Sequence, residues 1–553
     1  RAGNITIQND ATSYALAAVA AGTTVGFANI GVTLVKADAS GDFRSFINLS
    51  DESAYNAGRT NINAASLDVK VNYVTNAKAS ATQSTETKDI SLISGKFNEA
   101  DAVAESKVEA SIQGSGVLDV SGAVSVIANG TADANAELTT PAGSFSGVKI
   151  AAYKAVAKVT AIQNSDIHGV SFRNAGSIDV KSVFNNTDDH AAIKKDYGKN
   201  AGGATALIGG NGGVSGAAYS TNTNSATATN SMIANAYISG ARIDKAGNIT
   251  VKTDANANAY AAFANVGTNV SLVGIGVNQI TATAEGLFTS YIKDLILIQA
   301  EEVSVEDIYY VNSYAKTSQP ENGVGVANLS YNKATATSGA RSVKTTVDGK
   351  DTIVLEFSTA YMDGVNAGKD SSNNTIASNI KKLTVKADSS SQAYAEAAES
   401  SVSVSVANVG VNQVESILSI NQKAYVANSK LEVTGDAEVS SIIQGWYSRK
   451  YTENGTERTE LTALSEAKCG ANYGVKVELA QVGVNTVTSN LSNLNYSYIS
   501  ASEITNSGHG NVTIDAMTYA YSHSLNASGA IDKSLVGFGK TDVNANGSSE
   551  NYA

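Results

Sequence analysis

Val402-Ser-Val-Ser-Val-Ala-Asn-Val-Gly-Val-Asn412-Gln-Val414 is a segment that returns along this chain with small changes. The same order of apolar, small and amide residues occurs at 475–487 and 270–280, more loosely at 324–334, and faintly at 25–33 and 214–222. A segment that returns this often indicates a repeat architecture, in which each copy is one structural unit. The sequence therefore predicts a solenoid.

A second recurring element is a short strand of apolar, polar and apolar residues. The spacing between copies is 54 residues from Ile249 to Val303 and 80 residues from Val303 to Leu383. Alternation at period two with β-branched residues is typical of strands. Only 2 of the 553 residues are proline, so nearly every backbone N–H is able to pair in a ladder. The copies begin near positions 5, 67, 124, 178, 249, 303, 383, 437 and 512.

These observations predict one all-β fold, a single continuous parallel β-helix (β-solenoid) over 1–553. We expect it to be right-handed, because parallel crossover connections almost always are. Its parallel strands stack so that each unit buries the face that its neighbour exposes. Two alternatives stay open at this point: one repeat is either one wide coil or two ordinary coils.

The recurring segment contains a change of phase. Val402, Val404 and Val406 share one parity, whereas Val409 and Val411 have the other. A straight strand cannot place both sets on one side. Either a bulge or bend near Asn408 resets the phase, or both faces of the strand are covered.

Unequal spacing indicates insertions, which repeat proteins place in loops on one face. We place three of them, at 187–217, 340–380 and 445–462. The second contains Asp348-Gly349 and the third Asn454-Gly455, and each pair is typical of a two-residue hairpin turn.

The third insertion carries the one tryptophan of the chain, Trp446, together with Tyr447 and Tyr451. Tryptophan and tyrosine are favoured interface anchors, because they bring a large area at a low entropic cost. These three residues are candidates for contact with another subunit or a glycan. The alternative is a hairpin that folds back over the flank of the solenoid.

A third recurring phrase starts with tyrosine, as in Tyr425-Val426-x-x-Ser429-x-Leu431 and Tyr498-Ile499-x-x-Ser502-x-Ile504. Together with the Val-Gly-Val-Asn segment and the following Val-x-Val strand, it resembles the leukotoxin-type filamentous adhesins of fusobacteria and related anaerobes, within the filamentous-haemagglutinin-like proteins. The resemblance covers most of the chain, best over 247–514 and poorly over 89–214. It implies a right-handed parallel β-helix, secretion, display at the bacterial cell surface or beyond the outer membrane, and an adhesive or filament-forming role.

Composition excludes some classes of function. The net charge is −12 and charged residues make up 16% of the chain, so we expect no nucleic-acid partner, which requires clustered Lys and Arg. No apolar run is long enough for a transmembrane helix. The single cysteine, Cys469, allows no internal disulfide, and we expect it to be a small buried side chain. Arg1 begins the sequence, and we expect a processed product or a piece of a longer chain.

The clearest candidate site residues are asparagines at equivalent places in the recurring segment. Equivalent amides inside a β-helix can stack into a hydrogen-bonded ladder along the axis, and the alternative is a turn contact. The candidates are Asn278, Asn332, Asn412 and Asn485.

We expect no catalytic, cofactor-binding or metal-binding residues. Many polysaccharide lyases and hydrolases are parallel β-helices, but they need clustered carboxylates on one face. Here Asp68, Asp179 and Asp515 recur only in scattered copies and are interpreted as outward, solvated positions. The one acidic cluster with histidine, 188–190, lies in a glycine-rich insertion without a partner motif.

The leading hypothesis is a non-enzymatic extracellular structural protein, a β-helical adhesin or filament subunit that joins end to end. An open solenoid end exposes unpaired backbone, so the strand Ile5–Ile7 is a candidate interface. The alternative is a monomeric adhesin that binds a host surface or glycan through its insertions. A third hypothesis, a carbohydrate-active enzyme, requires a carboxylate-lined groove. Partners would be further copies of this chain or a surface ligand.

Overall fold

A computed structural model describes residues 2–21, 25–83, 88–140, 143–185, 203–210, 214–264, 267–318, 321–347, 350–366, 378–399, 402–445, 447–453, 456–471, 475–527 and 531–553. Strands make up nearly all of these residues, and none of them is helical. The long strands pair in parallel and stack in two walls, so the protein is an all-β parallel β-helix, as the sequence predicts.

The strands are numbered in chain order, and the two walls alternate along the chain. The first wall contains β1 (Ala2–Ala21), β3 (Ile62–Gln83), β5 (Val117–Thr140), β7 (Ser171–Phe184), β8 (Ala204–Gly210), β10 (Arg242–Ile243), β11 (Ala246–Ala264), β13 (Ile296–Leu297), β14 (Gln299–Ser318), β19 (Asn379–Glu399), β21 (Lys430–Val433), β22 (Ala437–Gln444), β24 (Thr456–Ala471), β26 (Glu503–Asn506), β27 (Val512–Thr518) and β28 (Ala520–Ala527). The second wall contains β2 (Val25–Leu49), β4 (Lys88–Gly114), β6 (Gly143–His168), β9 (Val214–Ser239), β12 (Gly267–Lys293), β15 (Glu321–Ala340), β18 (Ser358–Asp363), β20 (Val402–Ala427), β25 (Val475–Ser500) and β29 (Ile531–Tyr552).

One coil consists of first-wall strands followed by a long second-wall strand. The second wall runs β2-β4-β6-β9-β12-β15-β20-β25-β29, and we number the coils 1 to 9 in this order. The strand β18 follows β15 along coil 6 and pairs with β12 and β20. The short strands that mark the repeat lie in register in the first wall: Ile249 pairs with Val303 and Val303 with Leu383. One repeat is therefore one wide coil, with a strand phrase in one wall and the recurring segment in the other.

A break in the ladder explains the change of phase. Ser405 of β20 pairs with Glu478 of β25, and Ala407 pairs with Ala480, but Val406 between them has no partner. Every other adjacent pair of second-wall strands skips the same position. The extra residue is a bulge that returns the following side chains to the side of Val404 and Val406. It lies two residues before Asn408, and it brings both sets of valines to one face.

The core between the walls is built from small side chains. Alanines occupy column after column, for example Ala102, Ala157, Ala228, Ala282 and Ala336, which pair in register through coils 2 to 6 and are buried. Serines bridge the two walls directly, with Ser338 Oγ donating to Ser313 Oγ at 2.7 Å. Walls this close leave room for little more than alanine or serine, so the coil is flattened in this region.

The insertions are smaller than the predicted ranges. Residues 204–210 and 214–217 belong to strands of the two walls, and 358–363 forms β18, so these parts are not insertions. The strands β16 (Ser342–Val347) and β17 (Lys350–Leu355) form an antiparallel hairpin. The strand β23 (Tyr447–Glu453) forms a second one with the first half of β24. Both turn dipeptides lie outside the described residues.

The insertions do not share one face. The hairpin of β23 and β24 leaves the first wall between Gln444 and Leu464. The segment 186–202, outside the described residues, interrupts the first wall between Phe184 and Ala204, at neighbouring register positions. The hairpin of β16 and β17 departs from the second wall instead, so the expectation of a single insertion face is wrong for it.

Candidate functional site: side-chain ladders and open coil edges

The four candidate asparagines form a continuous chain of hydrogen bonds. Asn278 Nδ2 donates to Asn332 Oδ1 at 2.7 Å, Asn332 Nδ2 to Asn412 Oδ1 at 2.8 Å, and Asn412 Nδ2 to Asn485 Oδ1 at 2.8 Å. Parallel pairing places them in one column of the second wall, with their side chains pointing inward. Each amide supplies one donor and one acceptor along the axis, which is the complete requirement of a ladder.

The ladder includes one asparagine that the sequence reading missed. Asn224 Nδ2 donates to Asn278 Oδ1 at 2.8 Å, so the ladder runs from coil 4 to coil 8. It ends in coil 3, where Tyr153 occupies the register position next to Asn224. The faint copy of the recurring segment in β9 was the signal for Asn224, since two more residues along it reach this position.

A second ladder lies on the outer side of the second wall. Its tyrosine rings stack face to face with centroids 4.7 to 5.1 Å apart and interplanar angles of 1 to 6°. Burial raises the pKa of Tyr425 to about 12 and that of the others in the same direction, so all of them are neutral phenols. The members are Tyr237, Tyr291, Tyr361, Tyr425 and Tyr498.

Asp166 lies next to the first tyrosine of this ladder. It pairs in register with Tyr237, and Ser111 Oγ donates to Asp166 Oδ2 at 2.8 Å. The carboxyl is buried, and this burial raises the pKa of Asp166 to about 6. Asp166 therefore loses its proton within the range of mildly acidic pH.

The first wall carries a shorter stack of the same kind. Tyr260, Tyr314 and Tyr394 stack with centroids 5.1 and 4.8 Å apart. Tyr394 Oη donates to Glu396 Oε2 at 3.0 Å. The next residues in that column are Glu466 and then His523, whose Nδ1 lies 3.5 Å from Glu466 Oε1.

The candidate interface residues fall into two groups. Ile5 and Ile7 pair with Leu67 and Val69 and pack against the edge of the core, so their remaining exposed surface faces the open side of coil 1. Tyr447 and Tyr451 lie on β23, in the hairpin with β24. Trp446 lies outside the described residues. The structure therefore brings the isoleucines together at a coil edge, far from the hairpin in sequence and in coil number.

The two outermost coils present open strand edges. Among the described residues, β1 pairs only with β3, and β2 pairs only with β4. At the other end, β29 pairs only with β25 and β28 only with β24. Half of the backbone N–H and C=O groups of each such strand point away from the stack, where a further parallel strand can pair with them.

The acidic residues singled out in the sequence are placed as follows. Asp68 and Asp179 form ion pairs at the surface with Lys70 and Lys181, at 3.2 and 2.9 Å. Among the described residues, no group of three or more His, Cys, Asp or Glu side chains is placed to hold a metal ion. Asp515 is exposed, and 188–190 lies outside the described residues.

Asp307 is the deepest carboxyl of the described core. It is completely buried in β14, and burial raises its pKa well above the ordinary value, so it is a neutral acid. Neither carboxyl oxygen has a hydrogen-bond partner among the described residues. The equivalent position in coil 5 holds Thr253, whose backbone N–H donates to Ser290 Oγ at 2.8 Å.

Comparison with family models, with curated proteins and with solved structures gave no match for this chain. Within the described part of the chain, no helix is long and apolar enough to cross a membrane. Cys469 is buried in the first wall.

Proposed function

We propose that this chain is a non-enzymatic structural protein, a rigid β-helical rod that joins end to end with further copies of itself outside the cell. The observation that carries the proposal is the pair of coil edges to which the described residues supply no further strand. Each exposes a full-length row of backbone donors and acceptors in both walls. The resemblance to filamentous adhesins supports display at a bacterial surface.

The open edges match each other in kind as well as in geometry. The strand β2 at one end has 25 residues and β29 at the other has 22, so a copy of one can extend along the other. The inward columns also continue. Val543 in coil 9 lies in the column of Val487, and Val35 in coil 1 lies in that same column. Head-to-tail stacking is heterologous and does not close, and it therefore produces a fibre.

The ladders support a structural role. A ladder of asparagines or tyrosines gains from every added coil, because each member bonds or stacks with the one above and the one below. Five coils share the asparagine ladder, and the tyrosine stack covers a comparable length of the rod. Such columns stiffen a rod along its axis and have no need of a ligand.

The experiment is to block one end by placing charges inside coil 1. Ile5→Lys with Ile7→Lys puts two ammonium groups on the core side of the edge strand, where a stacked coil would bury them. We expect elongation, followed by light scattering and negative-stain electron microscopy, to stop. The matched control is Thr6→Lys with Gln8→Lys, which adds the same charges on the exposed side of the same strand and leaves elongation intact.

A second variant blocks the other end. Val543→Lys charges the core side of β29, where Val543 is exposed at the edge of the described stack. A mixture of the two blocked proteins has one open edge of each kind, so we expect rods of two chains and no longer ones. Long fibres from either blocked protein alone would refute end-to-end joining through these edges.

The hairpins favour a second candidate, an adhesin that stays monomeric. The hairpin of β16 and β17 projects from the second wall and exposes Ile353 and Val354. Replacing 342–355 by a short polar turn tests this candidate: loss of surface binding with unchanged rods supports it. Unchanged binding to cells or glycans removes the hairpin from that role.

A further inference from the structure

The recurring segment presents its apolar side chains to the outside of the rod. In β20, Val404 and Val406 are 43% and 47% exposed, whereas Ser405 between them is 7% exposed. The bulge then keeps Ala407, Val409 and Val411 on the same outer side as Val404 and Val406. We call these five side chains, together with the residues that occupy the same columns in the other coils, the outer apolar face.

The inner side of the same segment is polar or lacks side chains. Ser405, Asn408, Gly410 and Asn412 point inward, and Asn408 Nδ2 donates to Glu478 Oε1 at 2.8 Å. An arrangement with apolar side chains outside and amides inside is the reverse of that in an ordinary half-buried strand. The valines from Val404 to Val411 therefore contribute little to the core of the single rod.

The outer apolar face runs along most of the stack, and coil 4 interrupts it with Gly216, Thr221 and Thr223. Leu92, Leu272, Val326, Val406 and Leu479 occupy the bulge position in five coils, and each is exposed. Nine coils at about 4.8 Å and eight residues at about 3.3 Å give a footprint of about 1,100 Å². A standard protein interface buries about 800 Å² on each partner, so this footprint is large enough for one.

We propose that the outer apolar face is a lateral interface that packs against the same face of a second copy of this chain. In coils 1 to 8 no charged residue occupies these columns, so two identical faces meet without repulsion. Both faces carry ridges with the same strand spacing, which lets the side chains interdigitate as two packed sheets do. A face that pairs with itself through a twofold axis closes as a dimer.

The position of Lys540 selects the antiparallel arrangement of the two rods. Lys540 continues the column of Val484 into coil 9 and forms an ion pair with Asp542 at 2.8 Å. Rods that pair in parallel about a twofold axis along the rods place the Lys540 position of one copy against the opposite edge of the partner's coil 9, where Lys533 continues the column of Val477, so like charges meet. Rods that pair antiparallel place each Lys540 against coil 1 of its partner, whose residue in that column is Val32.

A lipid surface fits the outer apolar face less well than a second copy. Surface-bound membrane proteins flank their apolar face with lysine, arginine and tryptophan. Here the columns beside the face hold lysines and carboxylates that form ion pairs, such as Lys154 with Glu99 at 2.8 Å. The whole chain carries a net charge of −12. Anionic headgroups would repel that charge.

The test combines Leu272→Lys, Val406→Lys and Leu479→Lys in one protein. All three residues are exposed, so we expect an unchanged fold by circular dichroism. We expect the dimer of the original chain, measured by light scattering after size exclusion, to dissociate with an affinity loss of at least 100-fold. The matched control carries Gln279→Lys, Gln413→Lys and Thr486→Lys, which place equal charges on the same three strands outside the face, and it stays dimeric.

Cross-linking distinguishes the two arrangements. Antiparallel rods bring coil 2 of one copy beside coil 8 of the other, so a mixture of the Leu92→Cys and Leu479→Cys proteins should form the mixed disulfide. Disulfides between two identical variants would instead demonstrate parallel rods and overturn the antiparallel arrangement.

The lateral contact and the end-to-end contact can be disrupted separately by different variants. Proteins blocked at a coil edge by Ile5→Lys with Ile7→Lys should still dimerise through the outer apolar face. Fibres of the original chain should have the mass per length of two rods. An original chain that is monomeric at micromolar concentration, or fibres one rod wide, would overturn the lateral interface. Flotation of a monomeric chain with zwitterionic vesicles would assign the face to lipid instead.

Discussion

The two halves of each long second-wall strand point their apolar side chains to opposite sides of the wall. In β20, Val406 lies in the first half and is 47% exposed, whereas Val414 in the second half is 1% exposed. Both are valines on one strand, eight residues apart. In the first half the amides and glycines face inward, and in the second half the inward positions are mostly valine, leucine, isoleucine and alanine.

The contrast shows that one strand serves two different neighbours. The second half packs against the first wall of its own chain, so burial there stabilises the single rod. The first half bends past the bulge and points its valines away from that core, where the described residues leave them exposed. If the proposed lateral interface forms, one continuous strand of each repeat encodes both folding and assembly.

The largest effect we predict separates these two halves by one pair of substitutions. Val414→Asp places a carboxylate in the dry core and should lower the free energy of unfolding by about 3 to 5 kcal/mol. Val406→Asp changes a surface side chain and should cost less than about 0.5 kcal/mol. Urea denaturation followed by circular dichroism measures both. Equal losses would show that the first half belongs to the core.

Asp166 lies on the outer side of the second half of β6, and it makes the free energy of unfolding depend on pH. Burial raises its folded pKa from 3.8 to about 6, so folding favours the neutral acid, and stability decreases as the pH rises from about 4 to about 6. Asp166→Asn should remove this decrease and stabilise the protein by about 3 kcal/mol at pH 7. At pH 4 or below the two proteins should be equally stable, and a constant difference across this range would contradict the assignment.

Breaking the inner ladder of the first half should have a smaller effect. Asn332→Ala removes the acceptor of Asn278 and the donor to Asn412, and we expect a loss of about 2 kcal/mol. Asn485→Ala is the control: it removes one ladder bond at a half-buried site and should cost about 1 kcal/mol. The midpoints of denaturant unfolding measure the loss of stability in both variants. If Asn332→Ala were neutral, the ladder would not stabilise the first half.

The smallest effect concerns the tyrosine stack on the second halves. Tyr361→Leu removes two ring contacts, with Tyr291 and Tyr425, each at 4.9 Å between centroids. We expect a loss of about 1 kcal/mol, whereas Tyr361→Phe keeps the rings and should stay within about 0.5 kcal/mol of the original chain. Thermal unfolding compares the three proteins. A large loss with phenylalanine would show that the hydroxyl, and not the stack, is what matters.

Much of the architecture is legible in the sequence, because repeats impose identical positions on successive coils. The strand phrases near Ile249, Val303 and Leu383 predict their pairing, and the equivalent asparagines predict a ladder. The sequence did not predict the tyrosine stack, and it missed Asn224 of the asparagine ladder and the tyrosine phrase at Tyr361. Asn224 lies in a faint copy of the segment, and Tyr361 follows the hairpin of β16 and β17, which separates its phrase from the rest of the repeat.

Period-two alternation in the sequence determined which residues share a face on each side of Asn408, and it left open either a bulge or bend or a strand covered on both faces. Only the tertiary structure decided which face is inside. Parity is symmetric between the two sides of a strand, whereas the position of the opposite wall is not. That wall packs on Val414 and leaves Val404 and Val406 outside. The direction of these valines, and with it the outer apolar face, is a property of the folded coil.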